Sequence, residues 1–416
     1  MNGTMKFAKF AHDVTLFLFS LLLTFLFVAS ASAQIAVRGE TIHTMNGASI
    51  TDGVVLIRNG KIERVGRAGE VQIPANYRTL TARVVTPGLI DAHTVVGLAG
   101  YLNQPTDQMQ LELSSAMQPE LRAIDGYNAR ERLVEYLRGF GVTTIHTGHG
   151  PGALISGQTM IVKTFGDNVE QAVVVPTAMI AASLGESGLG QQGRSPGTRS
   201  KMIAMLRAEL IKAREYVVKQ AAAKEDQRPP RELRMETMAR VIRGELPLLV
   251  TVHRANDIIS ALRLAKEFGV RMVLDGAAES YLVAGQIKAA NVPVIIHPTM
   301  WRAADETENL SMETAAALRK AGITVALQSG YEGYVPKTRV VLFEAAAAAA
   351  NGLSFNEALA SITVDAARIL GIADRTGSIA PGKDADLALF DGDPFEYTSH
   401  VTAVIINGQV VSEKAQ

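Results

Sequence analysis

The amino-acid sequence predicts an α/β fold: a mostly parallel sheet with its helices over residues 88–375, and a small β unit built from both chain ends. Two observations carry this. Short apolar runs alternate with helical segments through the middle of the chain, and extended pieces punctuated by Asn-Gly and Asp-Gly pairs occupy the flanks. The length of the alternating part suits eight strand–helix units closed into a barrel, although alternation by itself also allows an open sheet.

In chain order, residues 1–33 read as a secretory signal. Lys6 and Lys9 precede an apolar run from Val14 to Val28, and Ala31 and Ala33 stand at the small positions before Gln34. The run is shorter than the roughly 20 apolar residues of a spanning helix, so cleavage rather than anchoring is expected. A periplasmic or secreted location follows. A chain without Cys needs no oxidising compartment for its stability, which is compatible with that location.

Residues 34–87 predict the first part of the β unit. Ile35–Val37, Thr41–Met45, Val54–Ile57, Lys61–Val65 and Arg83–Val85 read as extended; Asn46-Gly47, Asp52-Gly53 and Asn59-Gly60 supply the positive φ that hairpin turns demand. From residue 88 the runs Val142–Ile145, Leu248–Val252, Met272–Leu274, Val292–Ile296 and Thr324–Leu327 predict strands. Helices are predicted at Ala129–Arg138, Asn256–Phe268, Leu282–Ala289, Met312–Lys320 and Arg339–Ala350. The charged stretch Arg199–Arg243 predicts two solvated helices interrupted at Pro229-Pro230, because proline lacks the N–H and clashes with the preceding turn. Residues 376–416 return to strands at Ala385–Phe390, Ala403–Ile406 and Gln409–Val411, with Asn407-Gly408 as the last hairpin turn.

Composition removes several functions. Lys+Arg 41 against Asp+Glu 41 leaves no electrostatic footprint for nucleic acid. With no Cys, any metal must be held by His, Asp, Glu or a modified Lys, and a thiol nucleophile is excluded. There is no G-x-S-x-G elbow, and Gly152–Gly157 lacks the lysine of a phosphate loop. The glycine-rich Gly185–Gly193 predicts a flexible connection, or a lid, over the strand ends.

Two segments carry a resemblance. Val85-Thr86-Pro87-Gly88-Leu89-Ile90-Asp91-Ala92-His93 resembles the opening barrel strand of the amidohydrolase superfamily. Thr376-Gly377-Ser378-Ile379-Ala380-Pro381-Gly382-Lys383-Asp384-Ala385-Asp386-Leu387, with Val404–Gly408, is similar to that superfamily's closing β segment. Leu248–Ala261, Val273–Tyr281 and Val292–Met300 resemble the imidazolonepropionase-like and prolidase-like branch. The resemblance implies a (β/α)8 TIM-like barrel with a small split β-sandwich. It also implies metal-assisted hydrolysis of C–N bonds other than ordinary peptides.

The family's metal ligands are largely substituted in this alignment. The first strand of the family ends in His-x-His, and alternate residues on a strand face the same way; here His93-Thr94-Val95 offers one imidazole and a hydrocarbon. The fifth-strand histidine falls on Thr251, with His253 two residues on; the sixth-strand histidine falls on Gly276 and the eighth-strand aspartate on Gly330. A catalytic zinc typically needs three protein ligands and a water. His93 then reads as an inherited residue satisfied by hydrogen bonds, or as one member of a relocated site. For the relocated site the metal-ligand candidates are His93, His253 and His297, with His146, His149 and Glu186 as further members and Asp275 or Glu279 in place of the aspartate. Zinc or another divalent ion at reduced occupancy, or none, is expected.

Three functions stay open. One is an exported hydrolase acting on a small amide, cyclic amide or dipeptide-like substrate through a depleted site. Another is a non-catalytic family member serving as the partner subunit of an active paralogue; separately, a homo-oligomer or a hetero-oligomer with an active paralogue is the expected assembly. The third is a periplasmic small-molecule binding protein. Ordinary binuclear catalysis is not expected.

Overall fold

The computed structural model describes residues 34–190, 193–222, 224, 228–299, 301–331 and 340–414, so the predicted signal lies outside the described residues. Strands from both chain ends share one seven-stranded sheet. The first part supplies β1 (Ile35–Ile42), β2 (Ile50–Arg58), β3 (Lys61–Arg67) and β4 (Arg78–Pro87); the last supplies β15 (Leu387–Phe390), β16 (Val401–Ile406) and β17 (Gln409–Ser412). The order is β17-β16-β15-β4-β1-β2-β3, with β4 pairing parallel to β1 and antiparallel to β15.

Two predicted turns form as read, with φ of 52° and 76° at Asn59-Gly60 and 49° and 72° at Asn407-Gly408. They also pack on each other: a Cβ on Gly408 would lie 2.7 Å from the Gly60 Cα, so glycine is required by space as well as by φ. Asp52-Gly53 does not turn the chain. β2 runs through it, because Gly53 faces Gly39 in the ladder and lets the Ile42 side chain approach the backbone.

The middle of the chain forms two further sheets. β5 (Leu89–Thr94), β6 (Val142–Thr147), β8 (Met160–Lys163) and β9 (Val173–Val175) make one, in that order. β7 (Ile155–Gln158), β10 (Ile180–Ser183), β11 (Leu248–Val252), β12 (Met272–Gly276), β13 (Val294–Ile296) and β14 (Val325–Ala326) make the other. The run β10 to β14 is parallel, as the strand–helix alternation predicts. Antiparallel pairing of β7 with β10 and of β8 with β6 and β9 departs from a uniform parallel order. β7 and β8 are separated by Thr159 alone, so one nearly continuous extended stretch runs antiparallel to β10 in one sheet and to β6 in the other. The two sheets meet through the Ala92 N–H, which donates to Leu327 O (3.2 Å), and the Thr159 N–H, which donates to Met179 O (2.9 Å).

The helices are α1 (Arg132–Gly139), α2 (Val169–Ala172), α3 (Arg199–Ala222), α4 (Leu233–Ile242), α5 (Ala255–Phe268), α6 (Ala284–Ala290), α7 (Thr314–Lys320), α8 (Val341–Ala350), α9 (Phe355–Ser361) and α10 (Val364–Ile369). Apolar faces of α3, α5 and α8 bury Leu206, Leu210, Ile258, Leu262, Val341 and Ala345 in the same core as Leu248, Leu274 and Ile296 from the strands. The predicted helix Leu282–Ala289 starts as a 3-10 turn at Ser280–Val283. α9 and α10 are short and extensively buried, so they lack the polar face that makes a helix visible as a period. No described helix is long and apolar enough to cross a membrane.

Candidate functional site

At the carboxyl ends of the strands a buried carboxylate gathers partners from three other segments. The parallel register of β11 and β12 sets Thr251 opposite Asp275. His93 comes from the end of β5, and Gln328 follows β14. Asp275 Oδ1 accepts from His93 Nδ1–H (3.0 Å) and Gln328 Nε2–H (2.8 Å), while Oδ2 accepts from Thr251 Oγ1–H (2.6 Å). Gln328 Nε2 also donates to Ile296 O (3.0 Å), which fixes the amide.

Burial opposes the charge on Asp275, but the His93 charge and hydrogen bonds from His93, Thr251 and Gln328 outweigh it and hold the carboxyl below its usual range. Burial likewise opposes protonation of His93, and the Asp275 charge and hydrogen bond raise its pKa nonetheless. Both shifts favour the ion pair, with the proton on the imidazole. The other His93 nitrogen, Nε2, is buried and has no hydrogen-bond partner among the described residues, beside a cavity with room for about one water. Thr251, Asp275, Trp301, Gln328 and Tyr331 also line that cavity.

A second buried carboxyl lies two residues before His93. Asp91 Oδ1 accepts the Ser329 N–H (3.0 Å), and Oδ2 accepts the Ser329 hydroxyl. Burial pushes its pKa up to about 6 against the lowering effect of those bonds.

The other predicted site residues are placed as follows. The His146 ring is 5.7 Å from that of His93, but its Nδ1–H donates to Ala92 O (2.8 Å) and its Nε2 accepts from Thr159 Oγ1–H (2.6 Å); burial drives its pKa to about 3. The Nδ1–H of His297 donates to Pro298 O (2.8 Å). His253 stands edge-on to Trp301 with centroids 5.3 Å apart, neutral because burial lowers its pKa to about 4, and its Nδ1 is unpartnered. The His149 ring is buried against Gly157. Glu279 is committed to the Ala255 N–H (2.7 Å) and Asn309 (2.8 Å).

Glu186 is exposed, and its N–H donates to Glu306 Oε2 (2.8 Å). Glu306 also pairs with Arg199, whose Nε donates to Asp257 (2.8 Å). The described part of the glycine-rich loop is thus tied to the start of α3 and to the segment after β13.

These residues do not fit the metal centre that the resemblance implies. Among the described residues no three His, Asp or Glu side chains gather in a way that holds an ion. Two of the four substituted ligand positions, Gly276 and Gly330, are closed to a side chain. Gly276 has φ +73° and its missing Cβ would stand 2.6 Å from His253 Cε1; Gly330 has φ +69° and would meet Pro298 Cγ at 2.7 Å. The nearest carboxylate to His93 has both oxygens engaged by protein donors.

Sequence reasoning did not assign Thr251, Gln328 or Ser329 to polar contacts, and named Asp275 only as a substitute ligand. The available signal was alternation. Thr251 and Asp275 each interrupt an apolar strand at the same register level, and a buried polar pair there needs mutual satisfaction.

Comparison with known proteins is consistent with this architecture. The profile described as the amidohydrolase family matches residues 84–411. The chain is 28% identical over 379 residues to an imidazolonepropionase of Stenotrophomonas maltophilia (strain R551-3), covering 83% of this chain and 87% of that protein. It is 25% identical over 419 residues to an imidazolonepropionase of Brucella anthropi, covering 87% and 92%. The crystal structure of an amidohydrolase from Thermotoga maritima MSB8 superposes with a TM-score of 0.86 at 30% identity, covering 91% of this chain and all of that one.

Proposed function

The chain belongs to the amidohydrolase family, and from that premise we propose an exported member whose strands close into the family's (β/α)8 barrel. Its site takes a small amide, cyclic amide or dipeptide-like molecule without the family's two-ion hydrolysis. The relatives' names support a C–N substrate class. The observation that carries the second half is the engagement of Asp275 by His93, Thr251 and Gln328. An imidazolium beside the carboxylate supplies the positive charge that an ion would otherwise bring, and the glycines at 276 and 330 offer no ligand atoms. Hydrolysis of C–N bonds is the family-level activity; in this member the cavity beside His93, which holds about one water, must open at the strand ends for such a molecule to be bound and oriented there.

The test is elemental analysis of protein purified without chelator, together with a hydrolysis panel of small amides, lactams and dipeptides. Well under one zinc per chain and background turnover are expected. Stoichiometric metal with turnover overturns the reading. A second reading, a non-catalytic partner of an active paralogue, is favoured by the small size of the cavity beside His93. Co-purification from the native host should then return a second amidohydrolase, and recovery of this chain alone counts against it.

A further inference from the structure

The opposite end of the strands carries a second concavity. A cleft of about 610 Å3 opens where the chain enters β11 to β14, between Pro247, Pro293 and Thr324. Among the described residues the charged ones on its lining are Arg271, Lys288 and Arg368, with no Asp or Glu. Arg271 Nη1 donates to Gly244 O (3.1 Å), and Lys288 Nζ donates to Gly322 O. Neither pairs with a carboxylate among the described residues. Arg368 Nη1 donates to Asp365 Oδ1 (2.8 Å), but Asp365 is shared with Arg319 and so is already matched by a cation of its own.

Lys288 and Arg368 lie in the last turns of α6 and α10, where a cation complements the helix end. That ordinary role uses little of what they offer. A guanidinium has five N–H donors and an ammonium three, and each of the three side chains makes one such bond here. The surplus donors and surplus positive charge share one concavity, and walls of low dielectric focus the field of like charges within it.

We propose that this cleft binds a small multivalent anion, one bearing phosphate groups or clustered carboxylates. The site is separate from the strand-end pocket and does not depend on how that pocket works.

The experiment is calorimetric titration of the purified protein at low ionic strength with inorganic pyrophosphate and, separately, with citrate. Saturable one-site binding is expected for at least one of them, and the tighter of the two identifies the phosphate or the carboxylate source. Lys288→Met and Arg368→Gln should each weaken it about tenfold or more, whereas Lys212→Met, on α3 outside this cleft, should leave it unchanged. Both cleft side chains are at the surface, and anion-free melting curves of the variants check that the fold is kept. Absence of saturable binding by either anion in the unmodified protein overturns the proposal. So does binding that the cleft variants leave intact, or that Lys212→Met weakens equally.

Discussion

Asp91 shows how much one buried carboxyl can bias stability with pH. Its folded pKa, about 6, lies above the ordinary 3.8 because burial disfavours the charge. A raised folded pKa means that the stabilisation is complete below about pH 4 and is lost as pH rises through about 6, on the order of 3 kcal/mol in all. Asp91→Asn keeps a carbonyl for the Ser329 N–H and removes the titration. Thermal unfolding between pH 4 and 6 should therefore slope less in the variant than in the parent; equal slopes would show that Asp91 is not the titrating group. His93 contributes in the same sense but higher on the scale, since its own raised pKa starts from 6.5. Gly276 makes the complementary point about space. Gly276→His restores the family's residue type, yet a side chain there needs φ +73° and the volume held by His253. A loss of about 1–3 kcal/mol without gain of zinc is expected, read by denaturant unfolding and elemental analysis; a folded variant with stoichiometric zinc would contradict it.

Among the elements, the contact of most consequence for the glycine-rich loop is Arg199. One guanidinium at the start of α3 holds Asp257 on α5 and Glu306 after β13, and Glu306 in turn holds the backbone of Glu186. Arg199→Ala leaves two largely buried carboxylates without their cation. Removing one partner of a fully buried pair costs about 3–5 kcal/mol; Arg199 is itself 47% exposed, so screening reduces the expected loss to about 1–3 kcal/mol. The distinguishing readout is local: amide exchange around 185–190 should accelerate more than in the α5 core, and uniform acceleration would argue against a loop-specific tie. The Gly185–Gly193 run suggested mobility because glycine is permissive, but the tether comes from a residue 120 positions away. No local pattern carries that information.

For the whole molecule, the joint between the sheets rests on Lys163. It is 3% exposed, ends β8, and pairs with Asp386 and with Asp384 (3.6 Å) just before β15. Lys163→Met should cost about 3–5 kcal/mol by stranding Asp386, since Asp384 keeps Lys61 (2.6 Å) and Arg375 (3.2 Å), and Asp386→Asn in the same chain should recover part of it through coupling of about 0.5–3 kcal/mol. Denaturant unfolding of both variants checks this, and strict additivity would remove the pair as the joint. The larger outlines were legible in the sequence. Alternating apolar runs marked β11 to β14, and the pairs at 59–60 and 407–408 marked the outer turns. Charged residues placed far apart and paired by the fold, such as Lys163 with Asp386 or Arg199 with Glu306, were not legible, because only folding sets them side by side. The polar cluster at His93 was half legible: His93 stood out, whereas Thr251 and Gln328 acquire meaning only through register.

The pairing of β4 with β15 joins residue 87 to residue 387. Such a ladder cannot be completed by any N-terminal fragment, however long, until nearly the whole polypeptide has emerged from the ribosome. Closure of a loop of that length contributes a slow step with high contact order. Nascent chains would meanwhile expose the unpaired margin of β4, a template for adhesion to other chains, until β15 covers it.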